Sequence, residues 1–98
     1  MLLVFSPGIF GMAPEPVRQA ALMDLVRDDC GACHGMTLKG GLGPSLLPDA
    51  LRIRSDAYLV STIQDGHPGT PMPPWKTFLT VSETEWLIRV LKEGMPNP

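Results

Sequence analysis

The sequence predicts an all-α domain in the order helix, loop, helix, loop, helix. Three stretches space their apolar residues as helices do, and capping residues bound them. Glycine and proline, 10 and 11 of the 98 residues, gather mainly between these stretches and indicate turns and long loops. The sequence shows no strand pair, no repeat and no second domain, and its length fits one domain.

The first helix is expected from about Pro16 to Asp29. Proline is favoured in the first turn of a helix, because the amide hydrogen that it lacks would have no partner there. The apolar residues of this helix are Val17, Ala20, Ala21, Met23, Leu25 and Val26. The helix then runs straight into a pair of cysteines.

A long loop over residues 35–54 separates this helix from the second one. Ser55 and Asp56 begin the second helix, and Gly66 is placed to end it. Its apolar residues are Tyr58, Leu59, Val60 and Ile63. Four prolines in residues 66–75 exclude a regular helix or an inner strand there.

The last helix has the clearest signals. Ser82 and Glu85 are expected to form a capping box at its start. Gly94 closes the helix, and Pro96 follows just beyond. Its apolar stripe consists of Trp86, Leu87, Val90 and Leu91.

The charge pattern excludes some classes of partner. Eight basic and ten acidic residues give a formal net charge of -2, and no basic block is present, so nucleic acid is not expected as a partner. No apolar run is long enough to span a bilayer, unless an uncleaved N-terminus acts as an anchor. A domain this small usually needs a metal, a disulfide or a cofactor to complete its core.

Residues 1–13 carry no charge and resemble the apolar part and end of a secretory signal. Gly11 and Ala13 are small residues at the spacing of a cleavage site. A basic segment is missing, and Pro14 after the cleaved bond is unfavourable, so a flexible N-terminus is the alternative. The expected organisation is a signal remnant over residues 1–13 and a single domain over residues 14–98 in a periplasmic protein.

The chemistry-bearing motif is Cys30-Gly31-Ala32-Cys33-His34. Two cysteines three positions apart on a helical turn can add their sulfurs to the two vinyl groups on one porphyrin edge. His34 then projects under the ring, where its Nε2 can bind the iron. The motif therefore predicts one covalent haem c.

Three other interpretations of the cysteine pair remain open. A thioredoxin-like dithiol would need a strand-helix-strand setting, which the pattern lacks. Zinc could be held by Cys30, Cys33, His34 and His67, although the spacing is unlike that of a zinc finger. The pair could also be a structural disulfide beside an incidental histidine.

The iron needs a second ligand or stays open on one side. Met72 is the candidate, because the prolines of Pro71-Met72-Pro73 stiffen its loop. His67 is the rival, and Met72 could instead fill a core gap. Met36, next to the motif, is expected to be a packing residue, and Pro44 is placed to accept a hydrogen bond from the Nδ1–H of the ligating histidine.

The cysteine motif, Gly43-Pro44-x-Leu46, the Met72 loop and the helix at Trp86 together resemble the class I cytochromes c. The resemblance extends from about residue 17 to 93. It implies the class I cytochrome c fold, with about three main helices and long loops around one haem. By this resemblance Pro44 accepts the histidine hydrogen bond, and Met72 is the sixth ligand of the iron. Ala20 or Ala21 would then cross Trp86 or Leu87.

The run from Asp65 to Trp75 is more similar to the small cytochrome c55x of denitrification gene clusters. Those proteins are associated with the haem-d1 nitrite reductase, cytochrome cd1. The resemblance implies electron donation to that enzyme, or electron handling during the maturation of its d1 haem. The chain would then be an electron carrier and not an enzyme.

The surroundings of the haem can also be anticipated. Leu46, Leu51, Leu59, Ile63 and Leu87 are expected to form its apolar wall, and the exposed edge is expected by Ala32 and Met36.

Lys39, Arg52, Arg54 and Lys76 would lie in the surrounding loops, where they either steer an acidic partner or are simply solvated. Arg52, Arg54 or Trp75 could hydrogen-bond a haem propionate. The alternative function is a haem enzyme or sensor whose sixth site is open to peroxide or a small gas.

Overall fold

The computed structural model describes residues 13–95. Over that range the chain is helical with no β-strand, which confirms the all-α prediction. The elements are α1 (Pro16–Leu25), a π turn (Val26–Cys30), α2 (Gly31–His34), α3 (Pro48–Leu51), α4 (Asp56–Asp65) and α5 (Val81–Glu93). Residues 1–12 of the proposed signal, and Pro96, lie outside the described residues.

The first helical region is longer and less regular than predicted. It continues past Asp29 to His34, because the π turn joins α1 directly to α2. In this turn the amide of Gly31 bonds to the carbonyl of Val26, five residues back. Such turns insert one extra residue and are common near functional sites. Here the turn ends at Cys30, the first cysteine of the motif.

The buried side of α1 differs from the predicted one. Leu22 is 0% exposed, whereas Val17 is 85% exposed. Ala20 and Ala21 are also exposed. The apolar residues of the first turns of α1 are therefore not its buried side. The contact with the core is made by Leu22 near the end of α1 and by Val26 at the start of the π turn.

The predicted bounds of α4 are confirmed. The hydroxyl of Ser55 accepts the amide of Tyr58 at 3.0 Å and caps the first turn. Gly66 ends the helix with φ +78°, a conformation that glycine adopts without the steric cost of a side chain.

The capping box of α5 lies two residues earlier than predicted. The amide of Glu83 donates to the Thr80 hydroxyl at 3.0 Å, and the Glu83 carboxylate accepts the Thr80 amide at 2.9 Å. Both Thr80-x-x-Glu83 and Ser82-x-x-Glu85 fit the motif in the sequence. Helix α5 buries Thr84 and Ile88 as well as Leu87.

A short helix also interrupts the long loop predicted over residues 35–54. It is α3, which places Pro48 at its start and buries Leu51. Four residues are too few to show a periodic pattern, so the proline was the one available signal.

One apolar cluster forms the core. Its buried members are Leu22, Val26, Leu38, Leu51, Leu79, Leu87 and Leu91. All five residues of the predicted apolar wall belong to this cluster or pack against it. The side-chain amide of Gln64 joins α4 to α5 inside this core, because it donates to the Leu79 carbonyl at 2.9 Å and to the Thr84 hydroxyl at 2.7 Å.

One ion pair joins α1 to α5, and a groove separates the two helices beside it. The Arg18 guanidinium bonds to the Glu83 carboxylate at 2.7 Å. Ala20 and Trp86 line opposite sides of a groove between the two helices. None of the helices in residues 13–95 combines the length and the apolar character needed to cross a bilayer.

Candidate haem site

The end of α2 is capped by the loop that follows it. The last carbonyls of a helix have no partner inside the helix. Here the amide of Gly43 bonds to the Cys33 carbonyl at 2.7 Å, and the amide of Gly40 bonds to the His34 carbonyl at 2.8 Å. The loop is thereby folded back over the helix end.

This fold-back brings Pro44 to the imidazole of His34. The Nδ1 atom of His34 lies 2.7 Å from the Pro44 carbonyl oxygen. A carbonyl can only accept, so Nδ1 carries the proton, and in the neutral imidazole Nε2 then has the lone pair. The imidazole is therefore held in the tautomer and orientation that a metal ligand needs.

Gly43 lies against the imidazole of His34, a role that its place in the sequence did not predict. A Cβ atom placed on Gly43 would lie 2.7 Å from Cε1 and 2.8 Å from Nδ1 of His34. The backbone of Gly43 thus packs directly against the ring, and a Cβ atom at this position would require the ring or the loop to move. The position just before Pro44 was the available signal.

Leu38 is the strained residue of the same loop. Its φ of +63° lies in the left-handed region, which branched side chains adopt at a cost. Its side chain is buried in the core cluster, and its carbonyl accepts the amide of Leu46 at 2.8 Å. Burial and this hydrogen bond stabilise the turn in spite of the strain.

Cys30 and Cys33 are both free thiols and half-buried. Three positions apart on a helical segment, they lie on the same face. Burial, then the charges of Asp29 and Cys33, raise the pKa of the Cys30 thiol to about 11. Because the thiolate is the form that oxidises, Cys30 stays in its less reactive form near neutral pH.

The structure weakens the three other interpretations of the cysteine pair. Over residues 13–95 no strand is present to provide a thioredoxin-like setting. The two thiols are not joined in a disulfide. In the same range no three His, Cys, Asp or Glu side chains converge as a metal site, so the zinc set with His67 lacks a geometric basis.

Met72 lies in the proline-rich loop between α4 and α5. Its side chain is half-buried, whereas the rival His67 is exposed. The loop returns to α4 where the amide of Trp75 bonds to the Ile63 carbonyl at 2.9 Å. Trp75 and Leu38 pack in one core cluster. The loop that follows His34 and the loop that carries Met72 are therefore both fixed to the same core.

The packing role predicted for Met36 is wrong, because its side chain is 81% exposed. Ala32 is also exposed, so this edge of the site faces solvent.

The cations predicted to surround the site are exposed and make only weak contacts. Arg52 lies 3.8 Å from Asp49, and Lys76 lies 3.9 Å from Asp65. The Arg54 guanidinium lies 5.4 Å from the centre of the Tyr58 ring. Surface contacts of this kind contribute little stability and leave the cations available to a partner.

The donor set fits a covalent haem. Two free thiols share one helical face, and the next residue is a histidine whose Nδ1 is already bonded. Gly43 forms a cradle that a Cβ atom would fill. Each of these features matches what a thioether-linked, histidine-ligated haem requires.

Comparison with known proteins agrees with this fit. Residues 17–96 match the family model described as cytochrome C oxidase, cbb3-type, subunit III. Cytochrome c55X of Pseudomonas aeruginosa is 48% identical over 92 residues, which make up 94% of this chain and 77% of that protein. The chain belongs to the cytochrome c55X family of c-type cytochromes. Membership in this family implies a covalently attached haem c.

Solved structures of another c-type cytochrome and of a larger enzyme also resemble this c55X-family cytochrome. The c-type cytochrome NirC has a TM-score of 0.83 and 48% identity, with 87% of this chain and 100% of NirC covered. This likeness supports the class I cytochrome c fold. The dihydro-heme d1 dehydrogenase NirN matches at a TM-score of 0.66 and 34% identity, over 76% of this chain and 16% of NirN. The resemblance to NirN thus concerns one small part of that protein.

Proposed function

We propose that this c55X-family cytochrome carries single electrons on one haem, which is joined to Cys30 and Cys33. His34 and Met72 would be the two iron ligands. The hydrogen bond between His34 Nδ1 and the Pro44 carbonyl carries the proposal, because it leaves Nε2 as the ligating atom in a fixed orientation.

Bound haem supplies a one-electron iron couple. The residues of the chain hold the ligands in place in both oxidation states, so that little rearrangement accompanies electron transfer. The soft sulfur of Met72 favours the reduced iron and raises the potential. The apolar wall around Leu46 and Leu59 acts in the same direction, since a low-dielectric surrounding disfavours the extra positive charge of oxidised iron.

The proposed partner is a haem-d1 nitrite reductase, to which the cytochrome donates electrons. The relatives named cytochrome c55X and the structure named NirC support this assignment. The exposed edge at Ala32 and Met36 offers a surface for approach, and the weakly paired cations Arg52 and Lys76 would attract an acidic partner.

A second partner is favoured by the match to the dihydro-heme d1 dehydrogenase NirN. A dehydrogenation releases two electrons, which one-electron carriers must accept in two successive steps. The cytochrome would then serve the maturation of the d1 haem. It would use the same haem site, but it would accept electrons from the dehydrogenase instead of donating them to the reductase.

Rapid mixing of the purified holo-cytochrome distinguishes these partners. The ferrous form should be reoxidised by purified haem-d1 nitrite reductase when nitrite is present, and not by nitrite alone. The ferric form, mixed with purified dihydro-haem d1 dehydrogenase and its substrate, should be reduced if the second role holds. Failure of both reactions would contradict the proposed partners.

The alternative is an enzyme or sensor with an open sixth site for peroxide or a small gas. Such a site needs an acid-base side chain near the open position. His67, the one histidine outside the cysteine motif, is exposed in its loop. Fast carbon monoxide binding to the ferrous protein, or catalytic consumption of peroxide, would support this alternative.

We further propose that the protein is periplasmic, with residues 1–13 acting as an export signal and residues 14–98 as a single domain. Covalent attachment of haem needs reduced thiols and a ligation system outside the cytoplasmic membrane. The N-terminal sequence of the native protein should begin after Met12. Mature haem protein in the cytoplasmic fraction would contradict export.

A further inference from the structure

The loop that carries Met72 has few hydrogen-bond donors. Prolines occupy positions 68, 71, 73 and 74 and contribute no amide hydrogen. The amides of His67, Thr70 and Met72 are therefore important to the loop, and all three find partners within residues 67–72. The His67 amide bonds to the Met72 carbonyl at 3.2 Å, and the Thr70 amide bonds to the His67 carbonyl at 3.1 Å.

The third of these amides depends on a side chain. The amide of Met72 donates to the hydroxyl oxygen of Thr70 at 3.3 Å. The same hydroxyl donates its hydrogen to the His67 carbonyl at 2.5 Å. The direction of the second bond is fixed, since a carbonyl cannot donate. The Thr70 hydroxyl thus bridges the start of the turn to the backbone of Met72.

The carbonyl end of Met72 is held in a different way. A Cβ atom on Gly66 would lie 2.9 Å from the Met72 carbonyl oxygen and 3.0 Å from the carbonyl carbon of Pro73. The backbone at the end of α4 therefore packs closely under this side of the loop. The amide end of Met72 has no comparable backbone support and relies on Thr70.

We propose that Thr70 is a positioning residue for Met72, whose hydroxyl sets how firmly the thioether stays on the iron. This inference rests on the proposed ligation by Met72. Loss of the hydroxyl would leave the haem attached and the helices intact, while the sixth position opens more often to small ligands.

Thr70→Val and Thr70→Ser test this proposal in the holo-protein, because valine keeps the shape without the hydroxyl and serine keeps the hydroxyl. In Thr70→Val the far-red sulfur-to-iron band of the ferric form should weaken, and carbon monoxide should bind the ferrous form about tenfold faster, as expected for one lost hydrogen bond. Thr70→Ser should stay within about twofold of the unchanged protein. Thr70→Ala, which lacks the branched side chain, serves if the valine variant does not fold.

Hydrogen exchange at the Met72 amide gives a readout that does not involve the iron. Exchange should accelerate in Thr70→Val and not in Thr70→Ser. If Thr70→Val and Thr70→Ala keep the far-red band, the slow carbon monoxide binding and the slow Met72 exchange, Thr70 has no positioning role, and Met72 ligation stands. If the unchanged protein lacks the band, Met72 is not a ligand, and both proposals are overturned.

Discussion

The loops that carry the two proposed iron ligands are built differently. The loop after His34 closes over a helix end, where its amides satisfy the carbonyls of Cys33 and His34. The loop around Met72 follows helix α4, but most of its hydrogen bonds stay within one short turn. The histidine side thus shares the rigidity of a helix, whereas the methionine side depends on local contacts. We infer that ligand exchange, when it occurs, takes place at Met72.

The largest change should follow removal of the attachment on the histidine side. In Cys30→Ala with Cys33→Ala no thioether can form, so the denatured protein should lose all of its haem. A haem stain after denaturing electrophoresis measures this directly. Met36→Ala, a neighbouring change at an exposed side chain, should keep the full stain. Haem that acid-acetone extracts freely from the unchanged protein would contradict covalent attachment.

The packing of the loop against His34 can be disturbed without removing the cysteines. In Gly43→Ala the added methyl group would meet the His34 ring at 2.7 Å, so the ring or the loop must move. The free energy of unfolding in denaturant should fall by about 1–3 kcal/mol, as for other overpacked sites.

Gly31→Ala is the matched control for this change. Its Cβ atom would meet nothing nearer than the Val26 carbonyl oxygen at 3.6 Å, an ordinary contact. Alanine is also favoured over glycine in a helix by about 1 kcal/mol, so stability should stay the same or rise. An equal decrease in the free energy of unfolding in the two variants would show that the contact between Gly43 and His34 does not limit the size of residue 43.

The ion pair between Arg18 and Glu83 lies outside both ligand loops, so its loss should affect the two loops equally. The hydrogen bond from the Arg18 guanidinium, helped by the Thr80 amide and by the Arg18 charge, holds the pKa of Glu83 below its ordinary value of 4.5, although partial burial opposes this. A lowered pKa means that the ionised carboxylate stabilises the fold. This contribution is complete above pH 4.5 and is lost as the pH falls through the lowered pKa.

Glu83→Gln should therefore lower stability at pH 7 by about 1 kcal/mol or less, because glutamine can still complete the capping box. The difference from the unchanged protein should shrink towards pH 3. Glu83→Ala, which also loses the cap, should cost about 1 kcal/mol more. Denaturant unfolding at both pH values checks this, with Glu85→Gln as the control on the same helix. A loss in Glu83→Gln that is the same at both pH values would contradict the role of the charge.

The smallest effect is expected at His67. Its side chain is exposed, and the hydrogen bonds found at this residue use its backbone. His67→Ala should leave the ferric spectrum and the reduction potential unchanged. A new spectrum in this variant would instead identify His67 as the ligand on the loop side.

The sequence predicted the helices better than the contacts between them. Ser55 and Gly66 are local signals, and the structure confirms both as the bounds of α4. Two overlapping capping motifs fitted the start of α5, and the reciprocal hydrogen bonds between Thr80 and Glu83 in the structure decide between them. The π turn could not be predicted, because no residue pattern in Val26–Cys30 indicates one.

The candidate site shows the same division. The motif and Pro44 could be found because the chemistry of a haem requires particular residues at a particular spacing. The role of Gly43 depends on how the loop folds back against the ring, which is a property of three-dimensional packing. Thr70 was hidden for a similar reason, because its hydroxyl matters through the backbone atoms that the turn brings near it.

The ferric absorption spectrum at neutral pH, compared between the unchanged protein and Met72→Ala, tests the central claim most directly. We predict a six-coordinate, low-spin spectrum with a weak far-red sulfur-to-iron band, and slow carbon monoxide binding after reduction. Met72→Ala should lose the band, lower the potential and bind carbon monoxide rapidly. A high-spin ferric spectrum with fast carbon monoxide binding in the unchanged protein, and no change in Met72→Ala, would contradict the account.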